Sequence, residues 1–100
     1  MVSQEEIIKY LAENKSYLYE HFHLTQVGLF GSFSRGDYTE NSDIDLMIEL
    51  RDNTPNIYEL KNELRTLLQQ KFGRQVDIAR EKYLKEYVKK EIMGEVIYVE

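Results

Sequence analysis

The spacing between hydrophobic residues changes along the chain, and each change predicts the start of a new helix or strand. A spacing of three to four residues predicts a helix after Ser3, where Ser-Gln-Glu-Glu is typical of a capping box, and further helical structure over residues 15–24. A spacing of two predicts a strand in which Ile44 and Leu46 face one way and Asp43 and Asp45 the other. The predicted strands cover residues 25–31, 42–50, 74–80 and 95–100.

Two further amphipathic helices are predicted between the later strands. Thr54-Pro55 is typical of a helix start, with the threonine as N-cap and the proline at the first helical position. An apolar stripe then continues to a C-terminal cap at Gly73. A second helix is expected over residues 81–93 and is expected to end at Gly94.

The order of these elements predicts an α+β fold, with a mixed α/β sheet of about four strands and helices on one face. The acidic face of the sheet is expected to be open to solvent, because acidic and apolar residues alternate in the strands. A length of 100 residues predicts a single domain covering residues 1–100.

Composition excludes several classes of function. The chain has no cysteine, which excludes a disulfide framework and a thiolate zinc site, and no apolar run approaches the length of a membrane span. The N-terminal sequence does not resemble a signal peptide, so we expect a cytoplasmic protein. The formal net charge is −5, and the lysines of residues 81–91 alternate with glutamates. This pattern favours a solvated face over direct nucleic-acid binding.

Three carboxylates are predicted to share one face of the sheet. Asp43 and Asp45 stand two positions apart on one strand, and residues at that spacing point to the same side. Asp77 lies between the apolar residues of another strand, so the three converge if the strands are neighbours. Like charges about 4 Å apart repel by about 4 kcal/mol at an effective dielectric constant of about 20. The cluster is therefore costly unless it is protonated or binds a cation, and oxygen ligands favour Mg²⁺ or Mn²⁺.

A Gly-Ser pair ends the strand that precedes the acidic one. Gly31 permits a sharp turn, and Ser32 is predicted to begin a short helical turn whose N–H groups and hydroxyl bind an anion. Taken singly, a Gly-Ser pair is most often a turn and an Asp-x-Asp pair an exposed strand. A phosphate site beside a metal-binding cluster, in contrast, predicts phosphoryl or nucleotidyl transfer.

The spacing of these residues resembles that of a known family. Gly31-Ser32, ten intervening residues and Asp43-Ile44-Asp45 match the signature of the DNA polymerase β-like nucleotidyltransferases. The longer string GSFSRGDYTENSDIDLMIEL is similar to the minimal nucleotidyltransferases (MNT proteins), and VDIA resembles the strand with the third carboxylate of that family. The resemblance covers almost the whole chain.

The resemblance implies a role for each site residue. Asp43, Asp45 and Asp77 are the implied catalytic residues and ligands of two Mg²⁺ ions, with Mn²⁺ as an alternative. Asp77 is further implied to help deprotonate the attacking hydroxyl. Gly31 and Ser32 are implied to contact the β and γ phosphates of ATP, the nucleoside triphosphate substrate.

Arg35 has two alternative roles. As a nucleotide-binding residue it would contact phosphate or stabilise the turn after Ser32. As a structural residue it would form an ion pair with Asp37 or Glu40.

The resemblance also implies a partner. Small MNT proteins pair with helical HEPN toxins, and the leading hypothesis is an antitoxin that transfers AMP to a tyrosine of a HEPN ribonuclease. One alternative is small-molecule nucleotidyl transfer, as in aminoglycoside nucleotidyltransferases. Another is a non-catalytic antitoxin that neutralises its partner by binding alone. Homo-oligomerisation, base preference and the number of transfers stay open.

Overall fold

The computed structural model describes residues 2–99 as an α+β fold with one mixed sheet. The elements in chain order are α1 (Gln4–Glu13), α2 (Lys15–His21), β1 (Leu24–Phe30), α3 (Ser32–Arg35), β2 (Ile44–Leu50), α4 (Ile57–Phe72), β3 (Val76–Arg80), a 3₁₀ turn (Glu81–Tyr83), α5 (Glu86–Ile92) and β4 (Ile97–Tyr98). The last predicted strand ended at Glu100, which lies outside the described residues. Among residues 2–99, no helix has the length and apolar character needed to cross a bilayer.

The sheet has the order β3-β2-β1-β4 and combines two kinds of pairing. Strand β1 pairs antiparallel with both β2 and β4, whereas β2 and β3 run parallel. The parallel register sets Asp45 beside Asp77, and the antiparallel register sets Phe30 on the other side of Asp45. The predicted mixed sheet of four strands is therefore confirmed.

The core lies between the apolar face of the sheet and the longer helices. Leu29 and Leu46 are paired in neighbouring strands and are fully buried, as are helix residues such as Leu11 and Leu68. Val76 and Ile78 are also buried, whereas Asp77 between them is exposed. The alternation of apolar and acidic residues in the sequence thus corresponds to the alternation of buried and exposed side chains in the strand. It leaves the acidic residues on the face opposite the core.

The start of α4 differs from the prediction. The helix begins at Ile57 rather than at Pro55, and its N-cap is Asn56 in a left-handed conformation with φ 55°. The hydroxyl of Thr54 donates to the carbonyl oxygen of Arg51 at 2.6 Å, so it stabilises the preceding turn rather than the helix. The predicted cap at Gly73 is correct, because its N–H donates to the carbonyl oxygen of Gln69 at 2.8 Å.

The predicted helix over residues 81–93 is interrupted. A 3₁₀ turn ends at Tyr83, Leu84 is extended with φ −75° and ψ 139°, and α5 starts only at Glu86. The N–H of Lys82 donates to Glu49 Oε1 of β2 at 3.3 Å. The interruption thus accompanies a tertiary contact that local periodicity does not encode.

The acidic face is covered in its middle, contrary to the expectation that all of it is open to solvent. Met47 lies on this face and is only 1 % exposed. A Cβ at neighbouring Gly28 would stand 2.6 Å from a side-chain carbon of Val96 and 2.9 Å from one of Tyr98. The C-terminal residues therefore cover the central part of the face, and Asp43 and Asp77 remain exposed at its edge.

Candidate active site

The loop after β1 approaches the acidic strand with its backbone. Gly31 has φ 75°, and its carbonyl oxygen accepts from the N–H groups of Ser34 and Arg35 at 3.0 Å, which forms the short helix α3. A Cβ at Gly31 would overlap the carboxylate of Asp45. Glycine is needed here for two reasons, the left-handed backbone and the close approach of Asp45. The predicted helical turn after Gly31 is confirmed, and the loop meets Asp45 of the acidic pair directly.

The N-terminal helix holds this loop from behind. The side-chain amide of Gln4 donates to the carbonyl oxygens of Phe33 and Ser34 at 2.9 and 3.0 Å. Phe33 is fully buried, and its ring stacks on that of Tyr38 with centroids 4.4 Å apart. These contacts fix α3 relative to the core, so Ser32 is held at the start of a rigid turn.

The segment that leads into β2 is held by Arg74. Its guanidinium donates to the carbonyl oxygens of Thr39 and Ser42 at 3.1 and 2.9 Å. The N–H of Ile44 then donates to the carbonyl oxygen of Gln75 at 2.9 Å, which starts the parallel pairing with β3. This arrangement fixes the point at which the chain enters β2.

The surroundings of Asp45 disfavour the charged form of its carboxylate. Partial burial, followed by the charges of Asp77 and Asp43, raises its pKa to about 6, while the charge of Arg35 opposes the rise. The carboxylates predicted to converge thus interact electrostatically, with Asp45 at the centre. A group held in this way attracts a proton or a cation.

Arg35 forms ion pairs within the chain. Its Nε lies 3.2 Å from Asp37 Oδ2, and its Nη1 lies 3.2 Å from Glu95 Oε2. These acceptors raise the pKa of Arg35. The expected pair with Asp37 is therefore present, whereas the alternative with Glu40 is not formed in the described part of the chain.

Glu95 belongs to the site although the sequence analysis did not include it. Its Oε1 accepts from the N–H of Gly31 at 3.3 Å, and its backbone carbonyl accepts from the hydroxyl of Ser34. The antiparallel register pairs Gly28 with Tyr98 and continues toward Gly31 and Glu95. Counting along this register from the pairing of β1 with β4 leads to Glu95. The sequence alone does not determine that pairing, because it does not determine the strand order.

The donor set can be tested for its fit to a divalent cation. Within residues 2–99, no group of three or more His, Cys, Asp or Glu side chains is already gathered at metal-binding distance. The carboxylates nevertheless offer only oxygen atoms, and Asp77 and Asp43 are exposed. The charge repulsion at Asp45 would be relieved by a cation. By the chemistry of its donors, the site fits a hard divalent ion.

The site therefore combines backbone and guanidinium donors for an anion with a crowded carboxylate cluster, which suits the transfer of a nucleotidyl group. The sequence profile of the nucleotidyltransferase domain family matches residues 5–99, and the chain belongs to this family. The chain is thus a nucleotidyltransferase, and the resemblance seen in the sequence is confirmed.

Several relatives match this chain over nearly its whole length. A candidate protein adenylyltransferase of Methanocaldococcus jannaschii is 36 % identical over 100 residues, covering 99 % of this chain and 100 % of the relative. Protein adenylyltransferase MntA of Thermococcus cleftensis is 33 % identical over 99 residues, covering 99 % of this chain and 98 % of the relative.

Solved structures share the fold. A candidate minimal nucleotidyltransferase superposes with a TM-score of 0.76 at 25 % identity, covering 96 % of this chain and 95 % of the other. A chain of the complex between the MNT antitoxin and the tri-AMPylated HEPN toxin of Shewanella oneidensis gives a TM-score of 0.62 at 19 % identity, covering 93 % and 71 %. At such identity the second likeness supports the fold alone.

Proposed function

We propose that this nucleotidyltransferase transfers AMP from ATP to a hydroxyl group of a partner protein. One observation carries the proposal: the backbone of Gly31 lies against the carboxylate of Asp45, so the loop for phosphate and the acidic pair form one site. The names of the two relatives, both of which describe protein adenylyltransferases, support the choice of AMP and of a protein acceptor.

Gly31, Ser32 and Arg35 would bind the β and γ phosphates of ATP. The N–H of Gly31 and the guanidinium of Arg35 already share an anionic acceptor in Glu95, which supports their use for phosphate oxygens. Charge-assisted hydrogen bonds of this kind are the strong ones in proteins. The Ser32 hydroxyl would add one further donor.

Asp43, Asp45 and Asp77 would hold two Mg²⁺ ions, for which Mn²⁺ is an alternative. When bound, such ions stabilise negative charge on the attacking and leaving oxygens. The three side chains contribute by their fixed placement, since Asp45 and Asp77 are paired residues of adjacent parallel strands. Their mutual repulsion favours cation binding.

The acceptor hydroxyl would attack the α-phosphorus of ATP in line with the leaving group. A bond forms between the acceptor oxygen and the α-phosphorus, and the bond from that phosphorus to the bridging oxygen of pyrophosphate breaks. Asp77 would accept the hydroxyl proton. Its exposed position leaves room for an acceptor that belongs to another protein.

The acceptor would be a tyrosine of a HEPN toxin, and the modification would make this chain an antitoxin. The resemblance of the sequence to the MNT proteins, which pair with HEPN toxins, and the likeness to the relative MntA support this partner. The reaction would take place in the cytoplasm, with residues 1–100 acting as one catalytic domain. The two alternatives, a small-molecule acceptor and neutralisation by binding alone, are outcomes of the test below.

The test is incubation of the chain with ATP labelled in the α-phosphate, Mg²⁺ and the product of the neighbouring gene, which we expect to be a HEPN protein. We expect label and one or more AMP masses on a tyrosine of the HEPN protein, located by mass spectrometry. Glu49→Gln serves as a matched control for the loss of a carboxylate from β2, and it should retain transfer. A stable complex without any AMP on the partner would contradict the proposal.

A further inference from the structure

A carboxylate of the chain occupies the donors that the proposed function assigns to phosphate. Glu95 Oε1 accepts from the N–H of Gly31 at 3.3 Å. Arg35 Nη1 lies 3.3 Å from Oε1 and 3.2 Å from Oε2 of the same side chain. A carboxylate and a phosphate both present anionic oxygens to such donors. Glu95 therefore has the chemistry of a substitute for phosphate.

The backbone determines where Glu95 lies. Its N–H donates to the carbonyl oxygen of Ile92 at 3.0 Å, and its carbonyl oxygen accepts from the hydroxyl of Ser34. Two residues later the chain enters β4, where Ile97 pairs with Leu29. The main chain on both sides of Glu95 is thus held, and its side chain, which is 20 % exposed, is directed to the loop.

The negative charge of Glu95 is repelled by the carboxylate cluster. Its charge is among those that raise the pKa of Asp45. Among residues 2–99, the partners of its carboxylate are Gly31 and Arg35, and a triphosphate would require the same two groups. The carboxylate of Glu95 and the β and γ phosphates therefore compete for these donors, because Gly31 has a single N–H and both acceptors are negatively charged.

We propose that Glu95 is an internal competitor of the nucleotide, which sets the affinity of the site for the triphosphate. Its side chain leaves Gly31 and Arg35 when the phosphates bind, whereas the backbone contacts of the segment remain. The exchange makes and breaks hydrogen bonds only. This inference rests on the proposed function, because it assumes that the triphosphate binds at Gly31 and Arg35.

The test is calorimetric titration of the full chain with inorganic triphosphate and Mg²⁺. Glu95→Gln keeps the shape of the side chain and removes its charge, so we expect binding about tenfold tighter than in the wild type, equivalent to ~1.4 kcal/mol. Glu95→Ala should show an increase at least as large, with folding verified by thermal unfolding. Equal or weaker binding by both variants would overturn the proposal.

A matched control removes a charge without touching the site. Glu91 is an exposed residue of the preceding helix α5, and Glu91→Gln should leave the affinity close to that of the wild type. An increase as large as that of Glu95→Gln would assign the effect to net charge and overturn the proposal. The amide resonance of Gly31 provides a second readout, because it should shift in Glu95→Gln before any triphosphate is added. An unchanged resonance would show that the contact does not form.

Binding and transfer separate this proposal from the proposed function. If the wild type transfers AMP but Glu95→Gln binds triphosphate no more tightly, the competitor role of Glu95 fails and the transferase role stands. If Glu95→Gln binds triphosphate more tightly but no AMP transfer occurs, the competitor role of Glu95 stands and the transferase role fails. If neither protein binds triphosphate, the competitor role is overturned.

Discussion

Strand β2 carries two carboxylates on one face, and the charges that surround them have opposite signs. Glu49 lies toward its end, where Oε1 is 3.9 Å from Arg80 Nε and accepts from the N–H of Lys82 at 3.3 Å. Asp45 lies near its start beside Asp77, and burial and carboxylate neighbours raise its pKa to about 6. The neighbouring strand β3 thus supplies a counterion, Arg80, to one acid and a further acid, Asp77, to the other. A carboxylate that served only the fold would be expected to resemble Glu49.

The largest difference between Asp45 and Glu49 is expected in AMP transfer when each charge is removed in turn. Asp45→Asn should lower the rate by on the order of a thousandfold or more, because it removes a ligand of the proposed metal ions. Glu49→Gln should stay within a few-fold of the wild type. The measurement is the initial rate of label transfer to the partner, and similar losses in the two variants would show that Asp45 has no special role in transfer.

Loss of Ser32 should have an intermediate effect on the rate. Ser32→Ala removes one hydrogen bond to a charged phosphate, worth roughly 1.5–3 kcal/mol, so transfer should fall about ten- to a hundredfold but persist. The variant should remain folded, since only the hydroxyl is lost. A rate equal to that of the wild type would remove Ser32 from the nucleotide site.

Thermal stability should respond in opposite directions at the two ends of β2. Without metal at pH 7, Asp45→Asn should be more stable than the wild type by about 1–2 kcal/mol, allowing for solvent screening of the repulsion. Glu49→Gln should be less stable by up to about 1 kcal/mol, because it loses attraction to Arg80. Mg²⁺ should raise the melting temperature of the wild type and of Glu49→Gln, but raise that of Asp45→Asn much less. If Asp45→Asn fails to fold, Asp45 is structural.

The pH dependence of stability isolates the same group. The pKa of Asp45 is about 6 in the folded chain against 3.8 for an unperturbed aspartate. Its contribution to the free energy of unfolding is therefore highest below about pH 4, falls as the pH rises to about 6, and is constant above that. The profile of the wild type minus that of Asp45→Asn should show this fall in denaturant titrations without metal. A flat difference would show that Asp45 is not crowded.

The sequence predicts this site as far as local chemistry determines it. Alternation placed Asp77 on the correct face, because a strand has a fixed period. The turn at Gly31 was predictable because glycine before serine suits a sharp change of direction. The start of α4 was not, since the hydroxyl of Thr54 bonds to Arg51 instead of capping the helix. Glu95 was missed because its role depends on which strand β4 joins, and that is a tertiary fact.

If chemistry at the Asp45 end of β2 carries the proposed function, growth rescue should depend on that carboxylate. Cells that express the HEPN toxin receive the wild type, Asp45→Asn or Glu49→Gln at matched protein levels, with complex formation measured in parallel. The account predicts that Asp45→Asn binds the toxin but fails to restore growth, whereas Glu49→Gln restores it. Rescue by Asp45→Asn equal to that of the wild type would contradict the account and assign neutralisation to binding alone.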